Sequence, residues 1–416
     1  MHLIPRGTLR RVGAPLAVFA VLATAAAAQE WPQWRGPGRD GLVPGKVALA
    51  WPRALTPAWK VPIGIGYSSP VVSGPRVFTF AREGENEVAA SLDLATGQAV
   101  WRESYPAPYT VNSAAAGHGK GPKSTPVVHG GRLYTLGIGG ILSALDAATG
   151  RLLWRKDFRG QYRDNAPIYG TAMSPVVADG LLVAHVGGAN DGALTAFGAE
   201  RGDVRWAWKG DGPAYASPVV ADVGGVRQVV TQTQKQLVGL SLSKGELLWS
   251  LPFTTPYEQN AVTPVVSGDV VVYSGLGQGL RAARIARTGG TWAAEPVWHN
   301  DEVSLYMSSP VLDGGRLFGF SHKNKGQFFA VDAATGKTLW VSEGRQGENA
   351  AVLAARAALL LLTNDGELIV AKKDARAFAP IATYTVADSA TWAHPALVGT
   401  TLLVKDHETL AQWRIE

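Results

Sequence analysis

Two short stretches of the 416-residue chain hold oxygen donors close enough together to act jointly, Asp164-Asn165 and Glu258-Gln259-Asn260. Carboxylate and amide oxygens brought from two loops are a donor set that calcium takes. A free carboxylate, Asp164 or Glu258, could accept the proton of an alcohol undergoing oxidation. Asp and Asn are also common turn formers, so the same residues read equally well as loop chemistry. The eight histidines are scattered without ligand spacing, and the absence of cysteine removes thiolate nucleophiles and Cys-based zinc sites. Gly137-Ile-Gly-Gly140 and Gly275-Leu-Gly-Gln-Gly279 lie between strand-like runs instead of ahead of helices, which argues against a phosphate cradle.

A second set of residues points to binding. Tyr67, Tyr169, Tyr215, Tyr306 and Trp392 each lie three to six positions ahead of a proline that opens a strand. Lys123, Asn165, Asn260 and Asn349 occupy the same connections, together with His118, Lys120, Tyr257 and His394. Amphipathic rings with a few polar groups suit a planar ligand, a sugar or a peptide. The same recurrence also follows from repeat duplication, with the rings capping strands and packing on each other.

These loops are placed by a repeat. Ser69-Pro70, Thr125-Pro126, Ser174-Pro175, Ser217-Pro218, Thr263-Pro264 and Ser309-Pro310 each open a Val-rich run. His394-Pro395 is a weaker copy, and Ala350-Ala351 a copy without the proline. The intervals between them, 41 to 56 residues, are those of propeller blades. In step with them, Gly97, Gly150, Gly202, Gly245 and Gly336 are each followed four residues later by Trp101, Trp154, Trp206, Trp249 and Trp340. The fifth copy has Trp298 after an insertion, and the seventh has Tyr384. One four-stranded sheet cannot bury both faces alone, so such units stack, and a ring at a fixed place in each fills the gap to its neighbour. The last copy, 394–416, has only three strand-like runs, whereas Ala58–Val61 with Trp59 is a spare strand ahead of the first copy. The expected fold is all-β: an eight-bladed β-propeller of four-stranded antiparallel blades, closed by the N-terminal strand completing the last blade.

The 49 glycines and 25 prolines fall at turns between short apolar runs, in keeping with all-β structure. Residues 1–28 read as an export signal: Arg6, Arg10 and Arg11, then an apolar run, then Ala26-Ala27-Ala28. A retained anchor helix is the competing reading, and the run is short for a bilayer. Cleavage removes three arginines, taking the formal charge from +6 to +3. With no Lys/Arg-rich run, nucleic acid is not an expected partner. Residues 29–57, with Trp31 and Trp34 in a Pro/Gly-rich stretch, read as a strap packed on the body. Residues 58–416 read as one propeller, with blades starting near 68, 124, 173, 216, 262, 308, 350 and 393.

The Ser/Thr-Pro-Val-Val openings and the Leu-Asp-x-x-Thr-Gly-x-x-x-Trp pattern at 92–101 and 145–154, with Val331 replacing the leucine at 331–340, resemble the quinoprotein-type β-propellers. The resemblance covers the chain from about Trp31 to its end, and the Trp-Pro-Gln-Trp-Arg-Gly-Pro opening is similar to that of secreted bacterial propellers. It implies one of two activities. Some members are dehydrogenases of alcohols or sugars that use pyrroloquinoline quinone and calcium. Others carry no cofactor and act as binding scaffolds, among them a lipoprotein of outer-membrane β-barrel assembly. This chain has neither a vicinal disulfide nor a lipid-bearing cysteine, and it lacks the long inter-blade insertions of the enzymes. The expectation is a periplasmic or secreted, cofactor-free scaffold with no integral membrane segment after signal cleavage. It would hold another protein, a peptide or a saccharide at the funnel mouth; the alternative is the quinone- and calcium-dependent dehydrogenase.

Overall fold

The computed structural model describes residues 1–2, 30–45, 51–162, 166–189, 191–373 and 376–415, so almost all of the expected leader lies outside it. Eight antiparallel sheets form the described part. Blades 1 to 8 begin with the inner strands Val71–Ser73, Val127–His129, Val176–Ala178, Val219–Val223, Val265–Ser267, Val311–Asp313, Ala350–Ala354 and Ala396–Val398. Seven of these sheets are four-stranded, and blade 1 has a fifth strand. Blade 8 combines its inner strand with Thr401–Lys405, Thr409–Arg414 and, as outermost strand, Thr56–Pro62. Trp59 pairs with Gln412 and Val61 with Leu410, so the N-terminal strand closes the ring as expected.

The Asp-x-x-Thr-Gly turns fold locally. Asp93, Asp146 and Asp332 each accept hydrogen bonds from the backbone and hydroxyl of the threonine three residues on. Those bonds, the hydroxyl's first, hold the three carboxyls below their usual range. The glycine that follows takes a left-handed conformation, φ +71° at Gly97, +76° at Gly150 and +75° at Gly336, and receives the indole of the preceding blade, as do Gly202 and Gly245 in turns without the Asp-Thr pair. The indole N–H of Trp59, Trp101, Trp154, Trp206 and Trp298 donates to the carbonyl of the residue three before that glycine, at 2.8–3.2 Å. Each tryptophan therefore fills the gap between two blades and also satisfies a polar atom there.

Three members of the series, Trp249, Trp340 and Tyr384, are held differently. Blade 5 replaces the turn with a long hairpin, Leu280–Thr288 and Thr291–Asn300, and offers no equivalent glycine. Trp249 bonds Gln228 of its own blade at 2.7 Å instead, and Trp292 of the long hairpin packs back over Gly224 of blade 4. Trp340 is buried against Phe318 and Phe378. Tyr384 faces the closing blade, and its hydroxyl donates to the Pro52 carbonyl at 2.6 Å.

Around the axis, the Ser/Thr-Pro openings interlock. The backbone N–H of His394 bonds the Ser69 hydroxyl, that of Ser69 the Thr125 hydroxyl, and the series continues through Ser174, Ser217 and Thr263 to Ser309. Blade 7 has Ala351 at this place, and the Ser308 hydroxyl spans the gap by donating to the Ala350 carbonyl. Proline fits the next position because an inner edge strand needs no N–H there.

Of the strap expected over 29–57, residues 30–43 lie along the inner strands. Glu30–Trp31 adds to the inner strand of blade 1, pairing with Ser73 and Val72. The Pro32 carbonyl accepts from Val128 of blade 2, and Gly41 and Val43 bond Ala354 of blade 7. Arg39 donates to the carbonyls of Pro218 at 2.8 Å, Pro175 at 3.0 Å and Ser174. Arg35 donates to Pro310 at 2.6 Å. Both guanidinium groups are buried, and Trp34 lies against them at 5.4 and 5.8 Å. Desolvation lowers them to about 10 for Arg35 and about 9 for Arg39, so both stay charged at neutral pH.

Trp206→Ala removes a buried ring and the partner of the Leu242 carbonyl, and should lower stability by about 3–5 kcal/mol in urea unfolding. Arg39→Met strands three inner-strand carbonyls; it should lose on the order of 3 kcal/mol and make Trp34 fluorescence accessible to iodide quenching. An unchanged urea midpoint and quenching would show that the plug carries no load.

Candidate functional site

With its lower end occupied by residues 30–43, the channel becomes a cup open at the face where the blade-to-blade connections converge. The cavity is about 170 Å³. Trp34 and His394 line its floor, in edge contact at 5.3 Å. Tyr67, Tyr169, Tyr215, Tyr306 and Trp392 line the wall with His118, Lys123 and Asn349. Each ring stands where it does because the short turn ahead of an inner strand aims it at the axis.

The rings form a connected girdle. His118 meets Trp392 at 5.0 Å and Tyr169 at 5.3 Å, both edge-on, and Tyr169 meets Tyr215 at 5.6 Å. Tyr67 meets Trp392 at 6.5 Å. The Tyr306 hydroxyl donates to Gln259, whose amide donates to the Tyr169 hydroxyl at 3.4 Å. Lys123 donates to the Tyr169 carbonyl at 3.1 Å. The girdle is thus a packed structure as well as a lining.

Burial governs the charges. It lowers Lys123 to about 8 and raises Tyr306 to about 12 and Tyr215 further. It lowers His118, which also feels Lys123, and Glu348 opposes that shift. His394 is pushed to about 3 by burial and then by the Arg35 charge beneath it. At neutral pH the lining therefore carries one cation, Lys123, and neutral imidazoles, with no carboxylate among the described lining residues.

Not every residue singled out from sequence joins this cup. Asn260 is fully buried in the loop ahead of blade 5. Its amide donates to the Thr233, Gln234 and Phe253 carbonyls, so it organises backbone and cannot meet a ligand. Glu258 points away and lies 3.8 Å from Lys235 in an exposed pair, in a turn where Tyr257 and Glu258 both have positive φ. It is no acid or base of this cavity. Asp164 and Asn165 fall outside the described residues. Trp34, Gln259 and Met307 were not anticipated as lining. Trp34 carries no local signal, since its place depends on the whole ring being closed around it.

The family model described as outer membrane protein assembly factor BamB matches residues 84–342. The chain belongs to this family of quinone-type-repeat propellers. Curated relatives named outer membrane protein assembly factor BamB include that of Shewanella oneidensis, 26% identical over 55% of this chain and 59% of the relative. The Burkholderia pseudomallei protein is 26% identical over 83% and 84%. The match thus spans less than two thirds of the Shewanella protein. Among solved structures, BamB from Moraxella catarrhalis superposes with TM-score 0.61 at 13% identity, covering 87% of this chain and 98% of that one. A quinohemoprotein alcohol dehydrogenase from Comamonas testosteroni gives 0.66 at 14%, covering 93% and 80%. At these identities the two superpositions show a shared fold alone.

The quinone and calcium used by some propellers of this fold find little to hold them here. A calcium site is usually built on carboxylates, and the described lining offers none, only hydroxyls and the amides of Gln259 and Asn349, the first already engaged. No group of three or more potential metal ligands occurs among the described residues. The cavity is also smaller than the roughly 300–1,000 Å³ usual for a drug-sized ligand. The described residues do not fit the pair.

His394 is neutral in the fold and protonates in the unfolded chain below about pH 6.5. Between there and its folded value of about 3 the unfolded state binds the extra proton, so acidification destabilises the fold. His185, lowered to about 4 by burial, acts in the same sense. Melting temperature should fall from pH 6.5 to 4, and His394→Gln should flatten that fall; an equally steep fall in the variant would assign the acid sensitivity elsewhere.

Proposed function

We propose that this protein is an exported, non-catalytic scaffold that holds another protein during assembly of outer-membrane proteins. Membership of the assembly-factor family supports this reading, and the filled channel is the observation that carries it. Where a dehydrogenase of this fold would need an open funnel with convergent carboxylates, this chain places its own Trp34, Arg35 and Arg39 across the axis. What remains available to a macromolecule is the rim of connecting loops, where Tyr257 stands exposed beside the mouth, and the outer strands of the blades. A protein partner suits such a surface better than a saccharide, because exposed strand edges and large rings offer backbone pairing and apolar anchors.

The work would take place in the periplasm, in keeping with the leader read at 1–28. Among the described residues no helix is long and apolar enough to cross a membrane.

Two measurements test this. Deleting the gene in its native host should lower the amounts of β-barrel proteins in the outer-membrane fraction, with recovery on complementation; unaltered amounts would sink the assembly role. Purified protein given pyrroloquinoline quinone and calcium should show no saturable change in melting temperature and no dye reduction with alcohols or sugars, whereas saturable dye reduction would restore the enzyme reading.

A further inference from the structure

The cup has a composition that the scaffold reading leaves unused. Its walls are aromatic, its one charged lining residue is Lys123, and two buried guanidinium groups lie under its floor against the far face of Trp34. Among the described residues no carboxylate lines it to balance these charges. Lys123 has three N–H donors, with bonds to the Tyr169 carbonyl at 3.1 Å and the Gly119 carbonyl at 3.5 Å. At the floor, His394 Nδ1 is buried without a hydrogen-bond partner, an unusual state for a polar atom in a folded protein. The volume, about 170 Å³, matches a single six-membered ring, since an enclosed space of roughly 150 Å³ accepts benzene.

From these observations we propose that the cup is a binding site for a monocyclic aromatic carboxylate. The ring would lie among Tyr169, Tyr215 and Trp392, whose edges and faces offer the offset and T-shaped contacts that aromatic groups favour. The carboxylate would meet the ammonium of Lys123 in a charge-assisted hydrogen bond, strengthened by the low polarity of the surrounding rings. A cationic ligand is disfavoured, because Lys123 and the two arginines oppose it, whereas Glu348 and Asp406, felt at His118 and Tyr67, stand behind the lining. A tricyclic polyanion is disfavoured by volume. The site opens within the rim assigned to a protein partner, yet its ring and carboxylate contacts lie inside the cup, so either assignment stands without the other.

The carboxylate has two sources, a free aromatic acid or the end of a polypeptide whose last residue is aromatic, and the experiment separates them. The full mature chain is titrated with 4-hydroxybenzoate, 4-hydroxybenzamide and 4-hydroxybenzylamine, followed by calorimetry and by quenching of tryptophan fluorescence, since Trp34 and Trp392 line the cup. The acid should bind saturably and at least ten-fold more tightly than the amide, with the amine weakest. Lys123→Met should bring the acid down to the level of the amide, while Lys123→Arg keeps the preference; Lys123→Gln serves the same purpose if the methionine variant unfolds. An acid that binds no better than the amide, an amine that binds best, or a preference that survives both neutral variants would overturn the proposal. Short peptides ending in tyrosine, with a free or an amidated terminus, complete the set. A free-terminus peptide that outbinds both 4-hydroxybenzoate and its amidated twin supports the site with a polypeptide end as its source, and a weaker one supports it with a free acid.

Discussion

A propeller leaves one strand edge of every blade facing a narrow axis, where water is scarce and backbone groups need partners. Here that constraint is met from two directions. The N–H groups at the start of the inner strands are taken up by hydroxyls of the next blade, in a belt from His394 through Ser69 to Ser309. The carbonyls that follow are taken up by the guanidinium groups of Arg39 and Arg35, which reach blades 3, 4 and 6. Buried backbone groups are costly to leave unpaired, so the belt and the plug together supply partners at the axis for these short inner strands.

Plugging has consequences for function. A through-channel would offer two mouths and depth enough for a large cofactor, whereas a channel stopped by Trp34 is a shallow cup with positive charge below it. The same segment that stabilises the ring thus sets the size and sign of the cavity lined by the aromatic girdle. The buried arginines are tolerated because several carbonyl dipoles converge on each, which replaces much of the hydration they lose, and guanidinium suits such a site better than ammonium. The N-terminal part of the chain serves the architecture twice, as the plug at 30–43 and as the closing strand Thr56–Pro62.

Between blades the constraint is of another kind. The outer halves of adjacent sheets diverge, and an indole lying on a glycine of the next blade fills the widening gap with ring surface and one hydrogen bond. Blade 5 shows what the device requires. Where the long hairpin replaces the short turn no glycine is placed to receive Trp249, which turns to Gln228, while the hairpin sends Trp292 back to blade 4. The interface is kept by a different ring, coming from the other side.

Local pattern carried the repeat, the blade number and the turns, because each depends on residues within a few positions of one another: a carboxylate three residues from a threonine, a glycine four from a tryptophan. It also carried the closing strand, since counting strands left one missing at the end and one spare at the start. The aromatic lining at Tyr67, Tyr169, Tyr215, Tyr306 and Trp392 was legible for the same reason, as rings at a constant offset from the inner-strand prolines. Asn260 shared that offset and yet turns into its own loop, because three nearby carbonyls compete for its amide, which spacing cannot reveal. The plug was illegible too. Arg39 and Arg35 find their carbonyls 136, 179 and 275 residues away, and those atoms converge only when the circle is complete. Sequence alone thus determined that eight sheets close into a ring and which rings line its mouth. Only the tertiary structure decided that the channel is stopped, because the plug's partners exist as a site only after every blade has been placed.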